Sequence, residues 1–401
     1  MKRYCKNIDI TDRDLISHAT YKCLKGKYLR NDTIRLFSDI SGLKKHQIYC
    51  IYKRYNKKAL IPFVEILIDV IRGELINKSI TFPGIWYKEK TDPSSFKVRN
   101  IGIQDVKQQI YDYIAIDGLS PFLCRIGVHQ YASIKNRGCL AGTRKIQRWL
   151  RNKQLKYFSK LDIKKCYPSI PQDKLIEFLN KHIKNDLLMW LIEELLKSFG
   201  NGLSIGSYLS QYLCNLYLSQ VYHFIGHMHK TRKHKNGTTE NIPLVYHRLF
   251  YMDDILMIGT SLKDIRKAVK ELIKYCKSIG LKIKESWFIN KMSFANRKNE
   301  HIFIDMMGFK IYRTHLTIRK RVFKRIRRLS IRLLKRIKLH KKVFETHARK
   351  LISYWGLLKN SNSVKVIKKY HIKDIMKICK KVVKDYDKKS IYEQATACYN
   401  Y

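Results

Sequence analysis

The sequence predicts an α+β fold with helical ends, and three observations support this class. Residues 11–82 repeat apolar positions at three- and four-residue steps, which is the period of an amphipathic helix. Between about residues 96 and 313, short segments of strand length are interleaved with helical segments. Residues 319–342 are again helical, with one apolar face and basic residues over the rest of the surface.

The N-terminal segment contains four predicted helices. Thr11 is expected to cap the first helix, because Asp14 follows at the third helical position. The predicted helices cover residues 11–25, 32–40, 43–56 and 61–77. We therefore assign residues 1–90 to an N-terminal helical extension.

The helical pattern ends before Pro83-Gly84, which is a turn signal, and a second turn signal follows at residues 92–95. The predicted elements that follow are a strand at 96–101, a helix at 105–118, a strand at 158–163, one or two helices over 171–199, a helix at 207–226 and strands at 244–250 and 255–258. The polar stretch from Lys230 to Asn241 is predicted to be a loop.

The charge of the chain favours a polyanionic partner. Its 401 residues include 82 Lys+Arg and 32 Asp+Glu, a formal net charge of +50. An excess of positive charge of this size destabilises a compact fold through self-repulsion unless an anion neutralises it. Nucleic acid is therefore the leading partner class, and a membrane surface is the weaker alternative. The apolar fraction of 45% excludes a disordered basic tail.

The ten cysteines are scattered singly, without a C-x-x-C pair, and are expected to be reduced and mostly buried. The N-terminal residues lack the apolar core of a signal peptide, and no stretch approaches the ~20 apolar residues of a membrane span. We expect a cytoplasmic protein that does not enter a membrane.

Asp253 and Asp254 are adjacent carboxylates inside an otherwise apolar hairpin, between residues 250–252 and 255–258. Like charges a few ångströms apart repel and lose hydration, and a divalent cation would remove this cost. The alternative is a tight turn in which both carboxylates merely face water.

Asp162 ends the apolar strand predicted at residues 158–163. Taken alone, such an Asp is more often a cap or turn residue. If its strand lies beside the one that carries Asp253, the carboxylates would surround two Mg²⁺ ions and support nucleotidyl transfer.

Residues 202–211 form a glycine-containing turn that opens the next helix. Backbone at Gly206 can approach a base or sugar closely because no Cβ intervenes. An ordinary loop that leads into a helix is the alternative interpretation.

These features, in this order, resemble the motifs of reverse transcriptases. Asp162 with Tyr167 is similar to the first catalytic motif, Gly206 to Gln211 to the second, and Tyr251-Met252-Asp253-Asp254 to the third, the Y-x-D-D signature. The resemblance extends over residues 95–315 and includes two blocks typical of the fingers and, at residues 305–310, the primer-grip hairpin.

The resemblance implies a right-hand polymerase of fingers, palm and thumb. It places the fingers at residues 91–157, the palm with the remaining fingers elements at 158–315, and a basic helical thumb with a C-terminal tail at 316–401. The palm would consist of an antiparallel sheet with packed helices.

The resemblance also implies a role for each matching residue. Two Mg²⁺ ions, with Mn²⁺ as an alternative, would be held by Asp162, Asp253, Asp254 and the backbone carbonyl of Ile163. The dNTP substrate would be bound by residues of three motifs, which are Lys97, Arg99, Tyr167, Ile205, Gly206 and Gln211. The general acid stays unassigned between Lys282 and Lys284.

Ser204-Ile205-Gly206 and Ser210-Gln211 depart from the commoner form of the second motif and resemble bacterial reverse transcriptases of diversity-generating retroelements and antiphage defence. The expected partners are an RNA template, an RNA/DNA duplex, a dedicated structured noncoding RNA, and an accessory protein or a second copy of the chain. Antiphage defence ranks first and retroelement mutagenesis with relaxed fidelity second.

Two further alternatives stay open: protein-primed or template-independent DNA synthesis, for which Tyr392, Tyr399 and Tyr401 offer hydroxyls, and a non-catalytic RNA-binding protein. The intact aspartates argue against the last.

Overall fold

The computed structural model describes residues 3–91, 98–292 and 303–397, with side chains described up to residue 387. Within these ranges the protein is α+β, as predicted. None of the described helices is both long and apolar enough to cross a membrane.

The N-terminal segment is helical, as its periodicity predicts. Its helices are α1 (Arg13–Leu24), α2 (Asn31–Ser41), α3 (Lys45–Tyr55) and α4 (Ile61–Ile76), with a short 3-10 helix at Lys57–Leu60. The prediction that Thr11 caps α1 is wrong. The cap is Asp12, whose carboxylate accepts the Asp14 N–H at 3.3 Å.

The next region begins with an antiparallel hairpin of β1 and β2, most of whose residues are exposed. The elements in order are β1 (Trp86–Thr91), β2 (Val98–Ile103), α5 (Val106–Gly118), a 3-10 helix (Ser120–Arg125), β3 (Gln130–Tyr131) and α6 (Cys139–Leu150). Lys97 lies outside the described residues.

The central sheet has five strands in the order β3-β7-β8-β4-β9. The β3–β7 pair is parallel, and the other pairs are antiparallel. The strands and helices of this region are β4 (Tyr157–Asp162), α7 (Cys166–Ser169), α8 (Gln172–His182), α9 (Asp186–Lys197), α10 (Tyr208–His227), β5 (His229–Lys233), β6 (Thr239–Pro243), β7 (His247–Tyr251), β8 (Asp254–Gly259), α11 (Leu262–Ser278) and β9 (Phe288–Lys291).

The loop predicted between Lys230 and Asn241 is instead a two-stranded antiparallel hairpin of β5 and β6. Its loop turns at Gly237, where φ is 80°. The hairpin has no apolar alternation because both of its faces are exposed, so the pattern that predicts strands is absent from its sequence.

The C-terminal region is a three-stranded sheet followed by helices. Its elements are β10 (Phe303–Met306), β11 (Phe309–Tyr312), β12 (Leu316–Ile318), α12 (Lys320–Lys338), α13 (Glu345–Lys359), α14 (Val364–Lys369) and α15 (Ile372–Ala397). The hairpin predicted at residues 305–310 is present, with Met307 and Gly308 both at positive φ in its turn.

The central sheet separates two apolar cores. On one face, Leu161, Ile255 and Met257 belong to the core that also contains the N-terminal helices, α10 and α11. On the other face, Phe158 and Leu256 belong to the core formed with α6, the three-stranded sheet and the C-terminal helices. Since side chains alternate along a strand, this arrangement fixes the face on which each polar residue of β4 and β8 lies.

Candidate active site

Asp162, Asp253 and Asp254 are brought together by the pairing of β4 with β8. Asp162 is the direct cross-strand partner of Asp254. Asp253 lies in the two-residue turn between β7 and β8, where Met252 adopts a φ of 52°, and the Asp253 carbonyl accepts the Ile163 N–H at 3.1 Å. The two acidic strand ends therefore lie next to each other, as expected if their strands pair.

The side chains of Asp162 and Asp254 lie on the sheet face that faces the C-terminal elements. Asp162 shares its face with Phe158 and Lys160, four and two residues earlier, and Asp254 shares its face with Leu256. Helix α11 packs on the opposite face of the same sheet. The carboxylates of Asp162 and Asp254 therefore lie on the side of the central sheet away from α11.

Lysine side chains partly neutralise the carboxylates. Lys284 forms an ion pair with Asp162 Oδ1, and the Lys160 Nζ lies 3.5 Å from Asp254 Oδ1. Burial, followed by the charge of Asp162, raises the pKa of Asp253. Burial also raises the pKa of Asp254, and the nearby Lys160 opposes that shift.

Backbone pairing brings Lys284 to this position. Ile283 bridges Ile163 in antiparallel fashion, with the Lys284 N–H donating to the Asp162 carbonyl at 2.8 Å and the Lys164 N–H donating to the Lys282 carbonyl at 2.7 Å. Of the two lysines left open by the sequence, Lys284 is thus the one that contacts a carboxylate of the site.

The oxygen atoms that could coordinate a metal at this site are of the kind that a hard divalent cation prefers. They are carboxylate oxygens with a neighbouring backbone carbonyl, the ligands that Mg²⁺ and Mn²⁺ prefer. Asp162 Oδ1 is buried and has no hydrogen bond, only its ion pair with Lys284. In the part of the chain that the structure describes, however, no three His, Cys, Asp or Glu side chains are already gathered into a metal cluster.

Tyr167 lies beside the turn that carries Asp253. Its hydroxyl is 3.8 Å from the Met252 Sδ, and burial raises the pKa of the phenol. Its carbonyl accepts the Leu203 N–H at 2.9 Å, so the segment after Asp162 is bonded to the glycine-containing loop.

The loop at residues 202–207 is pressed against two other backbones. A Cβ on Gly202 would lie 2.5 Å from the Pro168 carbonyl oxygen, and one on Gly206, where φ is 120°, would lie 2.3 Å from that of Gly102. The half-buried Ile205 accepts the Gly102 N–H on its carbonyl at 2.7 Å.

Arg99 and Gln211 are placed by the elements next to this loop. Arg99 is exposed on β2, opposite Lys90 and three residues before Gly102. Gln211 is half-buried in the first turn of α10, and its carbonyl accepts the Asn215 Nδ2 at 2.9 Å. The loop thus links the β1–β2 hairpin to the helix that carries Gln211.

Sequence reasoning assigned no role at the site to several residues that support it. Lys160 is two residues before Asp162 on the same strand face, a signal that period-two counting could have found. The buried Asn215 donates to the Ala132 carbonyl at 3.4 Å and contacts the Met252 Sδ at 3.5 Å. Asp305 pairs with Arg319 at 2.5 Å, and its carbonyl accepts the Lys160 Nζ at 3.2 Å.

A sheet that presents carboxylates at adjacent strand ends within an α+β fold is typical of polymerases that transfer nucleotides. The sequence profile of one protein family, described as "Reverse transcriptase (RNA-dependent DNA polymerase)", matches residues 88–311. This match covers more than half of the chain, and the protein belongs to the reverse transcriptase family. The description of that family names an RNA-dependent DNA polymerase.

Telomerase structures are among those similar to the chain. That of Candida albicans, in complex with a TWJ fragment of telomeric RNA, gives a TM-score of 0.40 at 12% identity, over 77% of this chain and 62% of that one. Apo telomerase of Candida tropicalis, truncated from its C-terminal domain, gives 0.38 at 15% identity, over 71% and 73%. The Candida tropicalis complex with the RNA fragment gives 0.40 at 14% identity, over 88% and 66%.

The chain thus spans less than two thirds of the length of the first of these telomerases. No curated protein sequence matches the chain.

Proposed function

We propose that this protein extends a DNA primer on an RNA template by two-metal nucleotidyl transfer. The observation that carries the proposal is the direct pairing of Asp162 with Asp254, beside a turn in which the Asp253 carbonyl is bonded to the Ile163 N–H. Together with the family membership, this geometry supports a catalytic role over that of a non-catalytic RNA-binding protein.

In this mechanism the chain positions the reacting groups. The carboxylates of Asp162, Asp253 and Asp254 and the Ile163 carbonyl would hold two Mg²⁺ ions or, alternatively, Mn²⁺. When bound, these ions would activate the primer 3′-hydroxyl and stabilise the pyrophosphate leaving group.

The substrate contacts come from the surrounding motifs. Lys97 and Arg99 neutralise the triphosphate of the incoming dNTP, where an Arg fork and a Lys point charge complement each other. Tyr167 supports the deoxyribose and excludes a 2′-hydroxyl. The loop of Ile205 and Gly206, with Gln211, shapes the nucleotide site.

Primer extension tests the proposed chemistry. The wild-type protein is compared with Asp253→Asn/Asp254→Asn on a short RNA template annealed to a DNA primer, with dNTPs and Mg²⁺. We expect the rate to fall by at least about 1,000-fold, or ~4 kcal/mol of transition-state stabilisation. A matched control is Asp173→Asn/Glu177→Gln, which removes two acids from α8. Equal DNA yield from the wild type and the Asp253/Asp254 variant would exclude the catalytic assignment.

For the biological role we propose antiphage defence by a cytoplasmic bacterial reverse transcriptase that copies a dedicated structured noncoding RNA. The support is the resemblance of residues 204–211 to that branch and the net charge of +50, which suits a large bound RNA. Sequencing the RNA that copurifies with the protein tests this role. A single structured RNA is expected, whereas template and variable repeats beside the gene would identify a diversity-generating retroelement instead.

A further inference from the structure

The β5–β6 hairpin is an exposed basic element at the end of the palm opposite the catalytic turn. All residues of both strands are exposed apart from the half-buried Ile242. The hairpin precedes β7, which runs from His247 toward Asp253, so it lies at the far end of the sheet. The hairpin carries one acidic side chain, Glu240, and four Lys or Arg side chains, which are Lys230, Arg232, Lys233 and Lys235.

Helix α11 continues this basic surface along the rear of the palm. Lys230 Nζ donates to both carboxylate oxygens of Asp264, at 2.9 and 2.7 Å, and thereby joins the hairpin to the helix. The outer face of α11 carries six exposed cations, which are Lys263, Arg266, Lys267, Lys270, Lys274 and Lys277. We call these six residues and the four hairpin cations the rear basic surface.

Nucleic acid bound over the sheet face that carries Asp162 and Asp254, which we call the catalytic cleft, does not account for the rear basic surface. The buried face of α11 packs on the side of the sheet that holds Leu161, Ile255 and Met257. Asp162 and Asp254 lie on the other side, with Phe158 and Leu256. A primer–template whose end reaches the carboxylates is therefore separated from the outer face of α11 by the sheet and the helix itself.

Folding does not account for it either. A two-stranded hairpin that buries almost no apolar surface adds little stability, and closely spaced cations repel one another. Among the acids of this surface, Asp264 is already paired with Lys230, and Glu271 pairs with Lys274 at 3.2 Å. The arrangement costs stability unless an anion covers it.

We propose that the rear basic surface binds a second segment of the template-bearing RNA through its backbone phosphates. The surface is long, since the 17 residues of α11 span roughly 25 Å and a five-residue strand adds roughly 17 Å. The surface has the charge for an RNA backbone. A membrane-binding surface uses exposed aromatic and aliphatic anchors, and β5, β6 and α11 expose no large hydrophobic side chain, although Tyr246, three residues after β6, is exposed.

RNA is the partner that the proposed function already brings to the protein, and the inference rests on that function. A template held in the cleft presents its remaining segments to the rear of the palm at high effective concentration. Contacts there would anchor a long, folded RNA and leave a short primer–template unaffected.

The test neutralises four lysines on the rear basic surface and compares them with four exposed lysines elsewhere. The rear variant is Lys233→Gln, Lys235→Gln, Lys267→Gln and Lys270→Gln. The control variant, in the N-terminal helical segment, is Lys45→Gln, Lys57→Gln, Lys58→Gln and Lys78→Gln. Both variants lose the same charge.

Affinity for a transfer RNA, used as a generic folded probe, is measured against salt concentration while a short primer–template fills the cleft. The rear variant should bind about tenfold more weakly than wild type near physiological salt, with a log–log salt slope at least about two units shallower. Unchanged affinity and slope, or an equal loss in the control variant, would overturn the proposal. A larger effect on a DNA hairpin than on RNA would overturn RNA as the partner.

Primer extension on the short primer–template separates this inference from the proposed function. The rear variant should extend it at the wild-type rate, which also shows that the variant is folded. If the wild-type protein extends no primer, and the rear variant but not the control variant binds transfer RNA more weakly, the polymerase proposal fails and the RNA surface stands. If extension is normal and the rear substitutions have no effect on binding, the surface proposal alone fails.

Discussion

Asp162 lies directly opposite Asp254 across the antiparallel β4–β8 pair, and each carboxylate has a lysine partner. Lys284 contacts Asp162, and Lys160 approaches Asp254 from the same strand as Asp162. Two like charges side by side on a half-buried sheet face would otherwise repel. The lysines therefore perform part of the neutralisation that a divalent cation would perform.

Replacing Lys284 with Gln should strengthen Mg²⁺ binding. The ammonium group competes with a cation for Asp162 Oδ1, so its removal should lower the apparent Mg²⁺ dissociation constant roughly fivefold, or ~1 kcal/mol. Calorimetric titration with MgCl₂ measures this change. Lys282→Gln, an exposed lysine of the same segment, is the control and should leave the affinity unchanged. Weaker Mg²⁺ binding in the Lys284 variant would contradict the competition.

Gly202 and Gly200 form a matched pair that isolates the effect of close packing in the loop. Their φ angles are 71° and 70°, so Ala is strained equally at both positions. A Cβ at Gly200 meets no atom within 4 Å, whereas one at Gly202 would lie 2.5 Å from the Pro168 carbonyl oxygen.

Gly200→Ala should cost about 1 kcal/mol of unfolding free energy from backbone strain alone. Gly202→Ala should cost at least about 2 kcal/mol more and reduce primer extension, since it must displace the segment that carries Tyr167. Urea unfolding and primer extension measure the two effects. Equal costs for the two variants would show that the contact with Pro168 relaxes freely.

The sequence predicts those parts of the fold and site that depend on local patterns. Apolar periodicity locates α2 and α4 closely. The acidic ends of two apolar strands indicate that Asp162 and Asp253 become neighbours if their strands pair. The roles that the resemblance implies stay predictions for every matched residue, which are Lys97, Arg99, Asp162, Ile163, Tyr167, Ile205, Gly206, Gln211, Asp253 and Asp254.

The features that the sequence leaves open or misses depend on long-range or side-specific contacts. Lys284 is far from Asp162 along the chain, and backbone pairing through Ile283 and Ile163 brings the two together. The β5–β6 hairpin has no buried face, so its strands lack an apolar alternation. At α1, both Thr11 and Asp12 can cap a helix, and only the path of the backbone selects Asp12.

Asp112 should make the stability of the protein depend on pH in a predictable direction. This buried carboxylate on α5 accepts the Ser207 hydroxyl at 2.8 Å and the Leu209 N–H at 3.2 Å, at the start of α10. Burial raises its pKa from 3.8 to about 6, and the hydrogen bonds to Leu209 and Ser207 oppose the rise.

Because the folded-state pKa is raised, the folded protein binds the proton more tightly than the unfolded chain, so this group's contribution to stability falls as pH rises from about 4 to 6. The Asp112→Asn variant has no titratable carboxyl group at this position. Relative to wild type, its unfolding free energy should therefore shift by about +2 kcal/mol between pH 4 and pH 7. Urea unfolding across this range measures the shift, with the exposed Asp173→Asn as the control. A pH-independent difference would show that Asp112 titrates normally.

Arg313 should be essential for the attachment of the three-stranded sheet to α6 and the central sheet. Its buried guanidinium donates from Nη1 to the carbonyls of Leu150 and Asn152, the latter at 3.2 Å, and from Nη2 to those of Leu155 at 3.1 Å and Met292 at 3.2 Å. These carbonyls lie at the end of α6, before β4 and after β9. One side chain thus fastens β11 and β12 to three separate segments.

Arg313→Lys keeps the charge but should still lose about 3 kcal/mol of unfolding free energy, because one ammonium group cannot reach carbonyls on both sides of the fork. Arg151→Lys is the matched control. Arg151 is exposed at the end of the same helix α6, and its replacement should change stability by less than about 0.5 kcal/mol. Urea unfolding measures the loss of stability in both variants. An Arg313→Lys protein as stable as wild type would mean that the bonds to two of the four carbonyls contribute nothing.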